Sequence, residues 1–298
     1  MERVGFIGLG RMGKPMAANL RRKQFPMRVY DVRPEPIAEL EALGAERAGG
    51  IAEIARDCDV VITMLPTHNE VQEVVLGPEG VVKHGRKGAL VMDMSTVDPL
   101  ATDRLAAALQ GAGMSLVDAP VGRLATHADR GESLFMVGAS EKDFARVKPM
   151  LEAMGSTIHH CGPVGSGIRT KLVNNYLAVS SCQLNAEALA LAQRFGLDLG
   201  TTLEVLYGTT AVNGQLKINW PDKVLKGDVA PGFTIDLAHK DLSLVVSAAN
   251  DAKVPMPIAA AAREAFSAAR ASGHGAKDFS AMLEALCQLA GLEVPRLK

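Results

Sequence analysis

Val4-Gly5-Phe6-Ile7-Gly8-Leu9-Gly10-Arg11-Met12-Gly13 is an apolar run that breaks into a Gly-x-Gly-x-x-Gly turn, and residues 14–22 continue as a helix. A glycine turn between a strand and a helix is a phosphate cradle. Gly8 makes the tight turn, Gly10 lets a pyrophosphate approach the backbone, and Gly13 lets helix and strand pack closely. The next apolar stretch, residues 28–31, ends in Asp31. That is near the ~20-residue interval at which a dinucleotide site carries a carboxylate for the adenosine ribose. The segment therefore predicts a dinucleotide-binding strand, turn and helix.

Outward from this turn, short β-type runs alternate with helical stretches. Strands are predicted at 4–8, 28–31, 60–64, 89–93, 115–118, 134–137 and 157–160, with helices at 36–43, 69–76, 101–110 and 141–154. Such alternation predicts an α/β Rossmann domain with a doubly wound, mostly parallel sheet over residues 1–163, its ligand at the carboxyl ends of the strands. From 164 onward strand signals stop. A long helix is predicted at 168–195, apolar around much of its circumference, as in helices buried between domains or subunits. Helices follow at 201–206, 235–250, 258–272 and 279–290. Residues 164–298 are thus expected to form an all-α domain for substrate and oligomer contacts, beginning with a long interdomain helix.

Composition narrows the function classes. With 298 residues, 32 basic against 33 acidic side chains and a net charge of −1, the chain lacks the charge of a nucleic-acid partner. No apolar stretch approaches the ~20 residues of a membrane helix. Four cysteines without C-x-x-C spacing read as reduced thiols, and Met1 leads straight into the first strand without a signal peptide, so a cytoplasmic enzyme is expected. His159-His160-Cys161 has no partner set spaced for zinc, and no metal is expected.

Hydride transfer to a carbonyl needs a placed nicotinamide, a proton donor and a grip on the rest of the substrate. Lys171 is the donor candidate, with Asn174 and Asn175 at i+3 and i+4 on the same helix face. A lysine of ordinary pKa, ~10.4, carries its proton at neutral pH. The alternative is a solvated lysine beside helix-capping asparagines. Arg123 follows Asp118-Ala119-Pro120-Val121-Gly122 at a strand end, where its fork suits a carboxylate or sulfonate; the alternative is a surface arginine in a mobile loop. Met64-Leu65-Pro66 and Asp93-Met94-Ser95-Thr96 end two further strands at the height of a cofactor. Thr96 either bonds the cofactor or caps the helix beyond Pro99.

Taken together these residues resemble the β-hydroxyacid dehydrogenase family, which includes 3-hydroxyisobutyrate dehydrogenase and tartronate semialdehyde reductase. The resemblance rests on Gly5 through Leu20, Met64-Leu65-Pro66, Asp93-Met94-Ser95-Thr96, Asp118-Ala119-Pro120-Val121, Gly167 with Lys171 and Asn174-Asn175, and Lys240-Asp241-Leu242. It implies Lys171 as acid/base and Asn175 as a substrate contact. It also implies dinucleotide contacts at Met12, Leu65 and Thr96, and Lys240 reaching the cofactor from a helical domain like that of 6-phosphogluconate dehydrogenase; Arg11, in the glycine turn, is a further cofactor-binding candidate. The common family pattern Ser-Gly-Gly is replaced by Gly122-Arg123-Leu124. That change, with Trp220-Pro221-x-Lys223-Val224-Leu225, is similar to the branch of 3-sulfolactaldehyde reductases and γ-hydroxybutyrate dehydrogenases.

The expectation is an NAD(H)-dependent reductase of small aldehydes with a distal anion, with Gly122, Arg123, Asn174 and Asn175 at the substrate. Asp31 favours NAD over NADP, since its charge repels a 2′-phosphate. The other branches (3-hydroxyisobutyrate dehydrogenase, tartronate semialdehyde reductase) and a dinucleotide-sensing protein without catalysis are the alternatives. Such folds dimerise or tetramerise through the helical domain, which implies a homo-oligomer.

Overall fold

Unbroken apolar runs such as Val4–Ile7 are buried on both faces, as a parallel sheet covered by helices requires. The computed structural model describes residues 1–297, beginning with β1 (Val4–Ile7), α1 (Gly13–Arg22), β2 (Met27–Tyr30), α2 (Pro34–Glu41), β3 (Glu46–Arg47) and α3 (Ile51–Asp57). Next come β4 (Val60–Thr63), α4 (His68–Leu76), α5 (Val81–His84), β5 (Leu90–Asp93), α6 (Pro99–Gly111) and β6 (Ser115–Asp118). The sheet is completed by β7 (Val121–Gly122), α7 (Ala125–Asp129), β8 (Ser133–Gly138), α8 (Glu141–Met154) and β9 (Gly155–Gly162).

The strands lie in the order β3-β2-β1-β4-β5-β6-β8-β7, with β9 paired to β8. All pairs from β3 to β6 are parallel, whereas β8 runs antiparallel to β6 and β7. The expected doubly wound, mostly parallel sheet is what the chain forms. Its order reverses between β1 and β4, which is where such sheets bind ligand. Alternate side chains feed two cores. Phe6, Val29, Ile62 and Met92 pack with Met16, Leu20, Ile37 and Met150 on one face. Ile7, Val61, Val91 and Leu116 pack with Ile54, Val75, Leu105 and Leu109 on the other. Burying each of these side chains stabilises the fold by about 1.5–3 kcal/mol.

The sequence pattern missed β3, β7, α3, α5 and α7. Each spans seven residues or fewer, too short to show a period against its surroundings.

The chain divides into two compact units, Met1–Lys171 and the remainder from Leu172. The first runs past residue 163 because the first turn of the long helix is hydrogen-bonded to the end of β6. That helix, α9 (Ser166–Arg194), is followed by α10 (Leu199–Tyr207), α11 (Ile235–Asp251), α12 (Pro257–Ala269) and α13 (Met282–Ala290). The second unit is helical as expected, and its core closes around Trp220, Leu189, Leu203, Leu242 and Phe266. One stretch had no predicted element, and one predicted helix is shorter than expected. Residues 215–226 form a π turn and two 3-10 turns without an α-helical period. The expected helix 258–272 stops as α-helix at Ala269, because Gly273 turns to φ +86.

Candidate active site

Carboxyl ends of the central strands carry most of the singled-out residues of the first unit. At the end of β1, Gly8 has φ +95, and a Cβ there would lie 2.3 Å from the Met64 carbonyl oxygen. A Cβ at Gly13 would lie 1.9 Å from the Gly8 carbonyl oxygen, whereas one at Gly10 would meet nothing within 4 Å. Two glycines are therefore demanded by packing, and the middle one leaves bare backbone facing open space. Helix α1 begins with no side-chain cap and no acid in its first turn, so its N-terminal N–H groups and dipole favour an anion. Such a cradle fits a dinucleotide pyrophosphate. Leu9, Arg11 and Met12 fill its three variable positions.

Asp31 follows β2, and its carboxylate accepts the Leu9 N–H at 2.6 Å and the Arg33 N–H at 2.8 Å. It thus holds the glycine turn while remaining beside it. At the end of β4, Met64, Leu65 and Pro66 lead out of the sheet, and Leu65 N–H donates to Ser95 Oγ at 2.9 Å. Asp93, fully buried at the end of β5, accepts from Thr63 Oγ1 and from Ser95 N–H; burial pushes its carboxyl upward. Thr96 lies two residues before Asp98, and Asp98 is the residue that caps α6, accepting from Leu100 N–H at 3.0 Å.

Beyond β6 the backbone enters Ala119-Pro120 and then β7. The Val121 carbonyl accepts a hydrogen bond from Lys171 Nζ at 2.7 Å, and Lys171 is only 9% exposed. This lysine is a buried donor, not a solvated one. Gly122 is buried, and Arg123 adopts φ +69, a left-handed conformation that glycine adopts freely. Its guanidinium is not loose in solvent: Nη1 donates to Glu132 O at 2.6 Å and to Ser156 Oγ, and Nη2 donates to Thr157 Oγ1, each at 3.1 Å. Of the five guanidinium N–H groups, the Nε–H and one Nη2–H remain on one edge of the fork.

In the second unit, Asn174 and Asn175 stand inside α9 rather than at a cap. Asn174 Nδ2 donates to Asn175 Oδ1 at 3.1 Å, and Asn175 Nδ2 donates to Asp241 Oδ2 at 2.5 Å. Asp241 is 2% exposed, and its other oxygen lies 3.1 Å from Lys240 Nζ. A buried acid thus orients Asn175 and pairs Lys240. Sequence reasoning quoted Asp241, Asp93, Ser95 and Asp118 within motifs but gave none of them a role of its own. Acids at the carboxyl ends of otherwise apolar strands were the available signal for Asp93 and Asp118, because a buried carboxylate needs donors.

Fold and glycine cradle define an NAD-dependent dehydrogenase with a Rossmann domain. Residues 3–162 match the family model for the NAD binding domain of 6-phosphogluconate dehydrogenase. Residues 165–286 match the model described as NAD-binding of NADP-dependent 3-hydroxyisobutyrate dehydrogenase. The chain is 44% identical to 3-sulfolactaldehyde reductase of Escherichia coli (strain K12) over 292 residues, 98% of each chain. It is 36% identical to 2-(hydroxymethyl)glutarate dehydrogenase of Eubacterium barkeri, covering 98% of this chain and 97% of that one. A solved structure of Mycobacterium tuberculosis 3-hydroxyisobutyrate dehydrogenase with L-serine superposes with a TM-score of 0.89 at 31% identity, covering 96% and 99% of the chains. The chain belongs to the β-hydroxyacid dehydrogenase family of the 3-hydroxyisobutyrate dehydrogenase type, and it is an NAD-dependent oxidoreductase. Membership decides against a dinucleotide sensor without catalysis. Among the described residues, no helix is long and apolar enough to cross a membrane.

Proposed function

We propose that this chain reduces small aldehydes bearing a distal anion, of the 3-sulfolactaldehyde or succinic semialdehyde kind. One observation carries the reading: a strained Arg123 where the family pattern has glycine, its fork anchored on three protein acceptors with one N–H edge left over. Holding a non-glycine residue at positive φ costs on the order of 1–3 kcal/mol, which is retained where function depends on it. The remaining edge matches a carboxylate or sulfonate held by two parallel hydrogen bonds. The name of the 44% identical relative supports the same chemistry.

In this reading Lys171 gives its proton to the aldehyde oxygen as it becomes an alkoxide, and takes it back in the oxidative direction. NADH, when bound, supplies the hydride. Asn175, its amide turned by Asp241, and Asn174 hold the substrate one helical turn beyond the lysine. Gly122 completes the anion site beside Arg123, its missing side chain leaving room for Leu134 and Met136. Gly8, Gly10, Arg11, Met12 and Gly13 cradle the cofactor phosphates, Asp31 takes the ribose, and Met64, Leu65, Pro66, Thr96 and Lys240 complete the cofactor contacts. Residues 1–163 form the dinucleotide domain and also carry Gly122 and Arg123, and 164–298 form the substrate and assembly domain, from which Lys240 serves the cofactor.

The proposal includes a cytoplasmic homo-oligomer. Val173, Leu177, Leu184, Leu191 and Phe195 are each more than half exposed and recur at spacings of four and seven along α9 and just past its end. That spacing puts them on one helix face, which a second copy would cover.

The deciding experiment compares kcat/KM with NADH for 3-sulfolactaldehyde, succinic semialdehyde, tartronate semialdehyde and methylmalonate semialdehyde. A tenfold or greater preference for either of the first two is expected. Arg123→Gly, which suits the backbone φ, should erase that preference, by about 2 kcal/mol or roughly 30-fold for a lost charged contact. A preference for either of the last two, or an equal loss on a neutral aldehyde, refutes the distal-anion reading.

A further inference from the structure

Asp118 is a carboxylate, 2% exposed, at the carboxyl end of β6. Its Oδ1 accepts the Gly165 N–H at 2.6 Å, and its Oδ2 accepts the Ile168 N–H at 2.7 Å. Gly165 immediately precedes α9, sits at φ +88 and has no side chain with which to cap the helix. The cap therefore comes from a strand residue 47 positions earlier. Its approach depends on two glycines. A Cβ at Gly138 would fall 2.3 Å from Asp118 Oδ1, and one at Gly167 would fall 2.3 Å from the Met136 carbonyl oxygen and 2.9 Å from Asp118 Oδ2.

Three residues beyond Asp118, the Val121 carbonyl holds Lys171 Nζ. The segment Asp118-Ala119-Pro120-Val121 thus grips α9 twice, once by the backbone of its first turn and once by the ammonium of its second. Pro120 locks one φ between the two grips.

We propose that Asp118 is the positioning residue for Lys171, setting the height and rotation of the first turns of α9 so that the ammonium meets the substrate oxygen. The proposal rests on Lys171 being the acid/base. Above about pH 7 the carboxylate is ionised and acceptor-only at both oxygens, so it satisfies two N–H groups at once. An asparagine would turn its NH2 toward one of them. A negative charge at this position also complements the helix dipole.

The charged groups around Asp118 are few. Asp93 faces it from β5, Arg169 and Lys171 stand on α9, and Arg169 is paired with Asp103 of α6 at 2.7 Å. Strands β7 and β8 bring no ionisable side chain, and β9 brings His159, Cys161 and His160, the last bonded to the Ala139 carbonyl. Burial lifts the Asp118 carboxyl to about 7, opposed by its two backbone N–H bonds and assisted by the Asp93 charge.

The test is Asp118→Asn, with Asp118→Ser as a second variant. Amide hydrogen exchange is read on the free protein, kcat on the preferred aldehyde, and the Kd for NADH by fluorescence titration. Exchange at Gly165 and Ile168 should quicken tenfold or more with β1 and β4 unchanged. At the same time kcat should fall tenfold or more while the NADH Kd stays within twofold. Unchanged exchange at those two amides, protection lost throughout the sheet in both variants, unchanged kcat, or NADH affinity falling as far as kcat would overturn the proposal. Lys171→Ala measured alongside separates the two claims. Turnover lost there and kept in Asp118→Asn overturns only the positioning role; turnover kept in Lys171→Ala overturns the acid/base reading itself.

Discussion

The glycine turn at β1 and the Asp118–Arg123 segment beyond β6 both end a parallel strand, yet they are built by opposite means. The turn is shaped by what is missing. Gly8 and Gly13 lack side chains because the Met64 and Gly8 carbonyl oxygens occupy the space where Cβ atoms would go, with Leu65 Cδ2 and Phe6 Cε1 close behind. The β6 segment is shaped by what is present. Asp118 reaches Gly165 and Ile168, Val121 receives Lys171, and Arg123 is tied to Glu132, Ser156 and Thr157. A cofactor cradle can thus be specified by steric exclusion, whereas a proton donor and an anion clamp need hydrogen-bonding partners.

The contrast can be broken or sharpened experimentally, and Lys171→Ala has the largest expected effect. It should lower kcat by at least ~10²-fold, as loss of a general acid does, and leave NADH binding unaltered. A parallel loss of NADH affinity would mean that the two regions are not separable. Gly13→Ala should act on the other side of the contrast. The added Cβ meets the Gly8 carbonyl, and such overpacking costs about 1–3 kcal/mol, so NADH should bind about tenfold or more weakly. Normal NADH affinity in that variant would show that the turn tolerates a side chain and that sterics do not define it.

The smallest effect is one of pH. The Asp118 carboxyl titrates near ~3.9 in an unfolded chain and at about 7 in the fold. A group raised on folding contributes stability that is complete below the unfolded value and is lost as pH rises through the folded one. The urea midpoint of Asp118→Asn relative to the parent should therefore shift in favour of the variant between pH 5 and pH 8. A difference that stays constant over that range would show that Asp118 ionises alike in both states.

Much of this was legible residue by residue. Periodicity placed the long strands and α8, whose 141–154 span coincides with Glu141–Met154. Residues 125–129 and 215–226 were missed because their turns are too short or too irregular for a 3.6-residue repeat to emerge. Thr96 had two readings from local sequence; the cap beyond it proved to be Asp98.

Local order in the chain determined the strand–turn–helix at Gly8-x-Gly10-x-x-Gly13, the succession of the central strands and the main helices after residue 164, because each shows in a pattern of residues close together in sequence. Tertiary structure alone decided that Lys171 is buried on Val121, that Arg123 is strapped to Ser156 and Thr157, and that Asp241 turns the Asn175 amide. The reason is physical: a buried charge or amide is held by donors and acceptors far off in sequence, and only the folded chain brings them within hydrogen-bond range.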